Sequence, residues 1–146
     1  MNANIAFWDT SAIVPLCCNQ KVSLSARKAH RNFRVPVIWW GTPVEIHSAF
    51  ARLTVEGSLN VAQSAGAVRT WMQLYKRARK IRPEEELLEL AISMPAAYNV
   101  RAMDAFQLAA ALIWCGERPR NRPFFTADNR LAEAAAAAGF DVVSLA

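Results

Sequence analysis

Apolar residues recur along this chain in two rhythms. Short, nearly continuous apolar runs occupy residues 4–8, 35–39, 123–126 and 141–145. Between them lie longer stretches whose apolar positions return every three or four residues. Runs of the first kind read as buried strands, and the longer stretches as helices packed by one face. Thr10 or Ser11 opens a helix through Ile13, Val14 and Leu16, with Pro15 taken as lying in its first turn, where a missing N–H costs little. A second helix is expected over 23–32. Thr42-Pro43-Val44-Glu45 has the form of a helix start, with Thr42 as N-cap, Pro43 at N1 and Glu45 at N3 closing a capping box. That helix runs to about Val55, before Gly57 and Ser58. Residues 60–80 read as one long helix, with Val61, Ala65, Val68, Met72 and Tyr75 on its apolar stripe. Pro83 with Glu84, Glu85 and Glu86 opens another, which Pro95 is expected to break. Residues 101–115 and 128–138 complete the helices, the last closed by Gly139.

Strands that alternate with helices imply a parallel sheet covered on both faces. The fold expected is a three-layer α/β/α sandwich around a central, mostly parallel sheet of four to five strands, in a single domain over residues 1–146. The composition agrees: 53% hydrophobic and 20% charged residues fit a compact globule with a sizeable core. No uncharged apolar run reaches membrane-spanning length, since the longest, 102–116, contains Asp104. Residues 1–4 carry no positive charge, so no signal peptide is expected. Cys17 and Cys18 are adjacent and badly placed to pair with each other. With Cys115 they make an odd number, as expected of reduced thiols in a cytoplasmic protein. Two histidines, His30 and His47, and no CxxC leave no basis for a zinc site.

Against this apolar background four acids stand out. Asp9 ends the first apolar run. Asp104 lies within a helix apolar nearly all round, where its only polar companion, Gln107, falls three residues on and shares its face. Asp128 follows the 123–126 strand, and Glu45 opens the helix soon after the second strand. In an open parallel sheet, ligands bind beyond the carboxyl ends of the strands, so Asp9, Glu45 and Asp128 belong to one rim, which Asp104 can reach. Each acid also has a plainer use. Glu45 can close a capping box, Asp128 can be an N-cap, Asp9 can bond the next turn, and Asp104 can pair with Arg101. The chain has four aspartates, and three of them fall at this rim. Buried carboxylates that converge need a cation, and oxygen-only ligands suit Mg2+ or Mn2+. Such a centre suits phosphodiester hydrolysis.

The charge balance is +5. The bases cluster as Arg27, Lys28, Arg31 and Arg34; as Lys76, Arg77, Arg79, Lys80 and Arg82; and as Arg118, Arg120 and Arg122. These stripes are either a phosphate-binding footprint or solvated helix faces. A flanking basic surface would hold a nucleic-acid backbone that an acidic centre alone repels.

Four segments in order resemble the motifs of PIN-domain proteins, and more closely the VapC-type toxin ribonucleases. They are Phe7-Trp8-Asp9-Thr10-Ser11-Ala12, Pro43-Val44-Glu45-Ile46-His47-Ser48-Ala49, Arg101-Ala102-Met103-Asp104-Ala105-Phe106-Gln107, and Phe125-Thr126-Ala127-Asp128-Asn129-Arg130-Leu131. The resemblance spans nearly the whole chain. It implies a PIN-like fold and a metal-dependent endoribonuclease in which Asp9, Glu45, Asp104 and Asp128 hold Mg2+, or Mn2+ in its place, or activate water. Ser11 or Thr10, and Thr126, would support them by hydrogen bonding. It further implies an RNA substrate, a homodimer, and a VapB-type antitoxin whose tail covers the site. The segment Leu16-Cys17-Cys18-Asn19-Gln20 lacks the acid that many relatives place there. Trp39-Trp40 is a bulky pair that either stacks on a base or supplies core and dimer surface.

Other readings fit less well. A haloacid-dehalogenase-type phosphatase needs a second acid two residues after the first, where this chain has Ser11. A receiver domain needs a lysine after a late strand, and no lysine follows Lys80. A catalytically inactive PIN-fold module that binds RNA or protein, and a non-toxin RNA-processing nuclease, remain as alternatives.

Overall fold

The computed structural model describes residues 4–146, so the expectation read from Met1 to Ala3 lies outside the described residues. The order of elements is β1 (Ile5–Trp8), α1 (Thr10–Cys17), α2 (Ser23–Asn32), β2 (Val35–Trp39), α3 (Thr42–Val55), α4 (Val61–Arg77), β3 (Arg79–Ile81), α5 (Glu85–Tyr98), α6 (Ala102–Trp114), β4 (Pro123–Thr126), α7 (Asn129–Ala138) and β5 (Asp141–Ser144). The five strands form one sheet in the order β3-β2-β1-β4-β5, and every pairing is parallel.

β1 sits at the centre, and its four residues Ile-Ala-Phe-Trp are all buried, as a strand covered on both faces requires. Successive side chains point to opposite faces. Phe7 and Val37 pack with Phe124 under α5, α6 and α7, while Trp8 and Ile38 pack with Phe125 under α1 to α4. Ring pairs join the strands within each layer: Phe7 on Phe124 at 5.1 Å and Trp8 on Phe125 at 4.6 Å. The result is an α/β/α sandwich. The chain builds outward from β1 through β2 to β3, then returns to place β4 on the other side of β1. The topological switch point therefore lies between β1 and β4.

Several local expectations are corrected. The segment 60–80 is not one helix. Asn60 caps α4 in a full capping box with Gln63, α4 ends at Arg77, and Arg79–Ile81 is an edge strand paired with β2. Three residues with two bases carry no apolar alternation, and a charged edge of this kind resists further pairing. The buried stripe of α4 is Ala67, Trp71 and Leu74, whereas Val61 and Met72 are exposed. Pro95 does not break α5, which continues to Tyr98 and closes with Asn99 in the left-handed region, its N–H on the Pro95 carbonyl. Leu87, Ala91 and Met94 bury α5 against α6, and that packing outweighs the one hydrogen bond a proline removes. Pro15 lies in the second turn of α1, not its first.

Candidate active site

Both strands that flank the switch point end in the site. β1 runs directly into Asp9, whose extended backbone and side chain cap α1: the Ala12 N–H donates to Asp9 Oδ1 at 3.0 Å. Ser11 Oγ donates to the same carboxylate at 2.8 Å, and Thr126 Oγ1, at the end of β4, donates to Oδ2 at 2.9 Å. The hydroxyls are fixed in turn, since Ala127 N–H donates to Ser11 Oγ and Asp128 N–H to Thr126 Oγ1. Both hydroxyl protons are thus committed to Asp9. Ser11 Oγ also lies 2.9 Å from Oδ2, so each carboxylate oxygen has two contacts from the three donors. Ser11 and Thr126 therefore both hydrogen-bond to Asp9.

Asp9 is 4% exposed. Burial pushes its carboxyl up to about 7, against the three hydrogen bonds that lower it, and Asp128 adds to the rise. Glu45 is raised mainly by burial, with Asp104 adding to it. Asp104 is raised by burial and by Asp128, and Arg130 and Arg101 only partly offset this. The four acids therefore form a chain of mutual repulsion, Asp9 to Asp128 to Asp104 to Glu45. All four line one cleft of about 630 Å3, together with Thr10, Ser11 and Gln107.

Glu45 is not the N3 partner of a capping box. Gly41 is the N-cap of α3, and no side chain caps that end. Thr42 is fully buried, and Gln107 of α6 bridges instead. Its Nε2 donates to Glu45 Oε2 at 3.0 Å and lies 3.2 Å from Thr42 Oγ1 and 3.3 Å from Thr10 Oγ1. Gln107 is 2% exposed, and its Oε1 is buried without a partner. Asp128 does take the capping role: Arg130 N–H and Leu131 N–H both donate to its Oδ1. The cap uses one of its two oxygens, and the residue still faces the cleft.

Sequence reasoning missed Gln107, Thr42 and Thr10 as a connected group. The available signal was that Gln107 is the one polar residue beside Asp104 on the buried face of α6. Trp39 is core, stacked on Phe106 at 5.2 Å with the rings 1° from parallel, while Trp40 is 55% exposed.

Cation chemistry can be judged from these donors. They are all oxygen, and among the described residues the single ion pair, Arg52–Glu56 at 3.9 Å, involves none of the four acids. That donor set fits a hard divalent ion. Among the described residues, however, no three His, Cys, Asp or Glu side chains stand together as a ready metal-binding group. The acids share a cleft without forming a closed ligand shell.

No family model matches the chain, and no curated protein matches it. Among solved structures, the crystal structure of PAE2754 from Pyrobaculum aerophilum is similar, with a TM-score of 0.62 and 17% identity, covering 97% of this chain and 91% of that one. At that identity the likeness carries the fold alone. What fold and site together define is a parallel α/β/α domain with an acidic cleft at its topological switch point. No described helix is long and apolar enough to cross a membrane.

Proposed function

We propose that the chain is a metal-dependent endoribonuclease of the PIN-domain type, acting as the toxin of a toxin–antitoxin pair. The observation that carries this reading is the convergence of Asp9, Glu45, Asp104 and Asp128 in one cleft with no paired cation. Mg2+ or Mn2+ held by these oxygens would supply a nucleophilic water near neutral pH and offset charge on the scissile phosphate. Asp9, fixed by three donors, is the most rigid of the four. Glu45 is held by Gln107. Asp104, half-buried between Asp128 and Glu45, is the one acid with no cap or amide partner committing it elsewhere. Arg52, which lines the cleft, and Arg130, whose charge acts on Asp104, would meet the backbone of an RNA strand. Release of the 3′-oxygen would leave a 5′-phosphate. A homodimer and a VapB-type antitoxin belong to the same reading, through the motif resemblance.

A second reading has one observation in its favour. Without three preassembled ligands, the same fold would serve as an inactive RNA- or protein-binding module. Turnover separates the two. The purified chain, freed of co-purifying partners, is expected to cut RNA with Mg2+ or Mn2+ and not in EDTA. Asp104→Asn is expected to lose at least a hundredfold in rate without a fall in melting temperature. Activity in that variant equal to wild type would refute the assignment of the site.

A further inference from the structure

A second cavity, of about 370 Å3, opens between α2 and α4. Arg27, His30 and Arg31 line it from α2; Thr70, Gln73 and Arg77 line it from α4. The spacing explains the convergence. Positions 27 and 31 stack one turn apart, and 70, 73 and 77 share a stripe on the facing helix. All three arginines are exposed enough to reach a solute. None has an acid to meet: residues 10–44 and 57–83 contain no Asp or Glu at all. Arg69 and Lys76 on α4, and Arg34 just beyond the end of α2, add further positive charge. A solvated basic helix face ordinarily mixes both signs; this one is single-signed and concave.

His30 adds a second, independent observation. Its Nε2 is buried and has no partner. Burial, then Arg77 and Arg34, hold its pKa down, so the ring is kept neutral by the very charges around the cavity. An anion seated among those guanidiniums would cancel their field and ease protonation of the ring.

We propose that this α2–α4 cavity binds a backbone phosphate of a single-stranded RNA, with Arg27, Arg31 and Arg77 as ligands. Several planar guanidinium forks around one concavity match a tetrahedral phosphate, which offers more acceptor directions than a carboxylate. α1 links the two sites. Thr10 lines the acidic cleft and Leu16 lines this cavity, six residues or about 9 Å apart along the helix at 1.5 Å per residue. Even at the roughly 3.4 Å rise of a strand stacked in a duplex, about three nucleotides cover that distance. The choice of RNA as the phosphate's source rests on the nuclease reading; the phosphate chemistry does not.

The test uses the full chain in EDTA, so that cleavage plays no part, and follows anisotropy of a labelled 2′-O-methyl single strand across a salt series. The Arg27→Gln/Arg31→Gln/Arg77→Gln variant is expected to bind at least tenfold more weakly. Its log K against log salt should flatten by about 0.7, the contribution of one single-strand phosphate. A control with the same charge loss elsewhere, Arg118→Gln/Arg120→Gln/Arg122→Gln, is expected to stay within twofold of wild type. Inorganic phosphate should compete with the strand on wild type more strongly than chloride at matched ionic strength. Equal losses in both triple variants would overturn the proposal in favour of net charge. Unchanged strand binding in the first triple would also overturn it, towards a free phosphate if inorganic phosphate binding is lost there, or towards an acidic protein segment if oligoglutamate binding is lost. A chain that binds the strand here but cuts no RNA would keep this site and sink the nuclease reading.

Discussion

Gln107 shows how much a single amide can organise. Its Nε2 faces three oxygens on two helices, and only two protons serve them, so the Glu45 carboxylate takes the shortest bond. That bond lowers the pKa of Glu45 against the larger effect of burial. Gln107→Leu keeps the volume and removes the donor. The Glu45 carboxyl should then rise further, and the acid limb of the pH–rate profile should move to higher pH. Stability should fall by about 1–3 kcal/mol, the cost of leaving buried partners unmet. A profile that superposes on wild type would separate Gln107 from the site. The acids themselves were legible in the sequence because a carboxylate at the end of an apolar run, or inside an apolar helix, is an anomaly that asks for a partner. Gln107 was legible only as an oddity. Its role depends on α6 crossing behind the starts of α1 and α3, and periodicity does not encode that crossing. Thr42 differs for the same reason, since its sequence context suggests a helix cap whereas its hydroxyl meets Gln107 in the fold.

At the scale of elements, strands and helices with a buried face announced themselves, and those held by context did not. α2 and β2 fall where the apolar pattern puts them. β3 has no apolar signature because it is an edge held by backbone bonds to β2, with Lys80 resting 4.1 Å over the Tyr75 ring. Pro95 reads as a breaker by local propensity alone, but the packing of α5 on α6 carries the helix through it. The start of α3 offers a sharper test of context. Gly41 supplies the N-cap by its backbone alone, and a Cβ there would lie 2.6 Å from Trp39 Nε1. Trp39 cannot swing aside freely, being 6% exposed and stacked on Phe106, the neighbour of Gln107. Gly41→Ala is therefore expected to cost about 1–3 kcal/mol, as overpacking does. It should also lower activity beyond what the loss of stability explains, because the displaced ring pushes on the residue next to Gln107. Thermal melts and cleavage rates measured well below the melting temperature would check this; a fully stable, fully active variant would mean that the aromatic stack yields without moving the site.

For the whole molecule, the acids couple folding to pH and to metal. Asp9 titrates near 3.8 when unfolded and is pushed up to about 7 by burial when folded. Between those values the folded state holds a proton that the unfolded state has released. The stability tied to that proton is complete below about pH 4 and is lost as pH rises through 7. The difference corresponds to roughly 4 kcal/mol, a large share of a domain's stability. Glu45 and Asp104, also raised, act in the same direction. In EDTA the melting temperature should therefore fall by several degrees from pH 5 to pH 8. Asp9→Asn should flatten that slope and melt above wild type at pH 8, because it removes a buried charge that has no counter-charge. Divalent cations reverse the argument. Metal competes with protons for the same oxygens, so affinity grows as the acids ionise. Ligand at a hundred times its Kd stabilises a fold by about 2.7 kcal/mol. Millimolar Mn2+ or Mg2+ should thus raise the melting temperature of wild type clearly at pH 8 and little at pH 6, and Asp9→Asn should lose most of the gain. Equal shifts at both pH values, or in both proteins, would place any bound metal away from the cleft. The acids would then be a repulsive cluster that the fold tolerates for a purpose other than holding a cation.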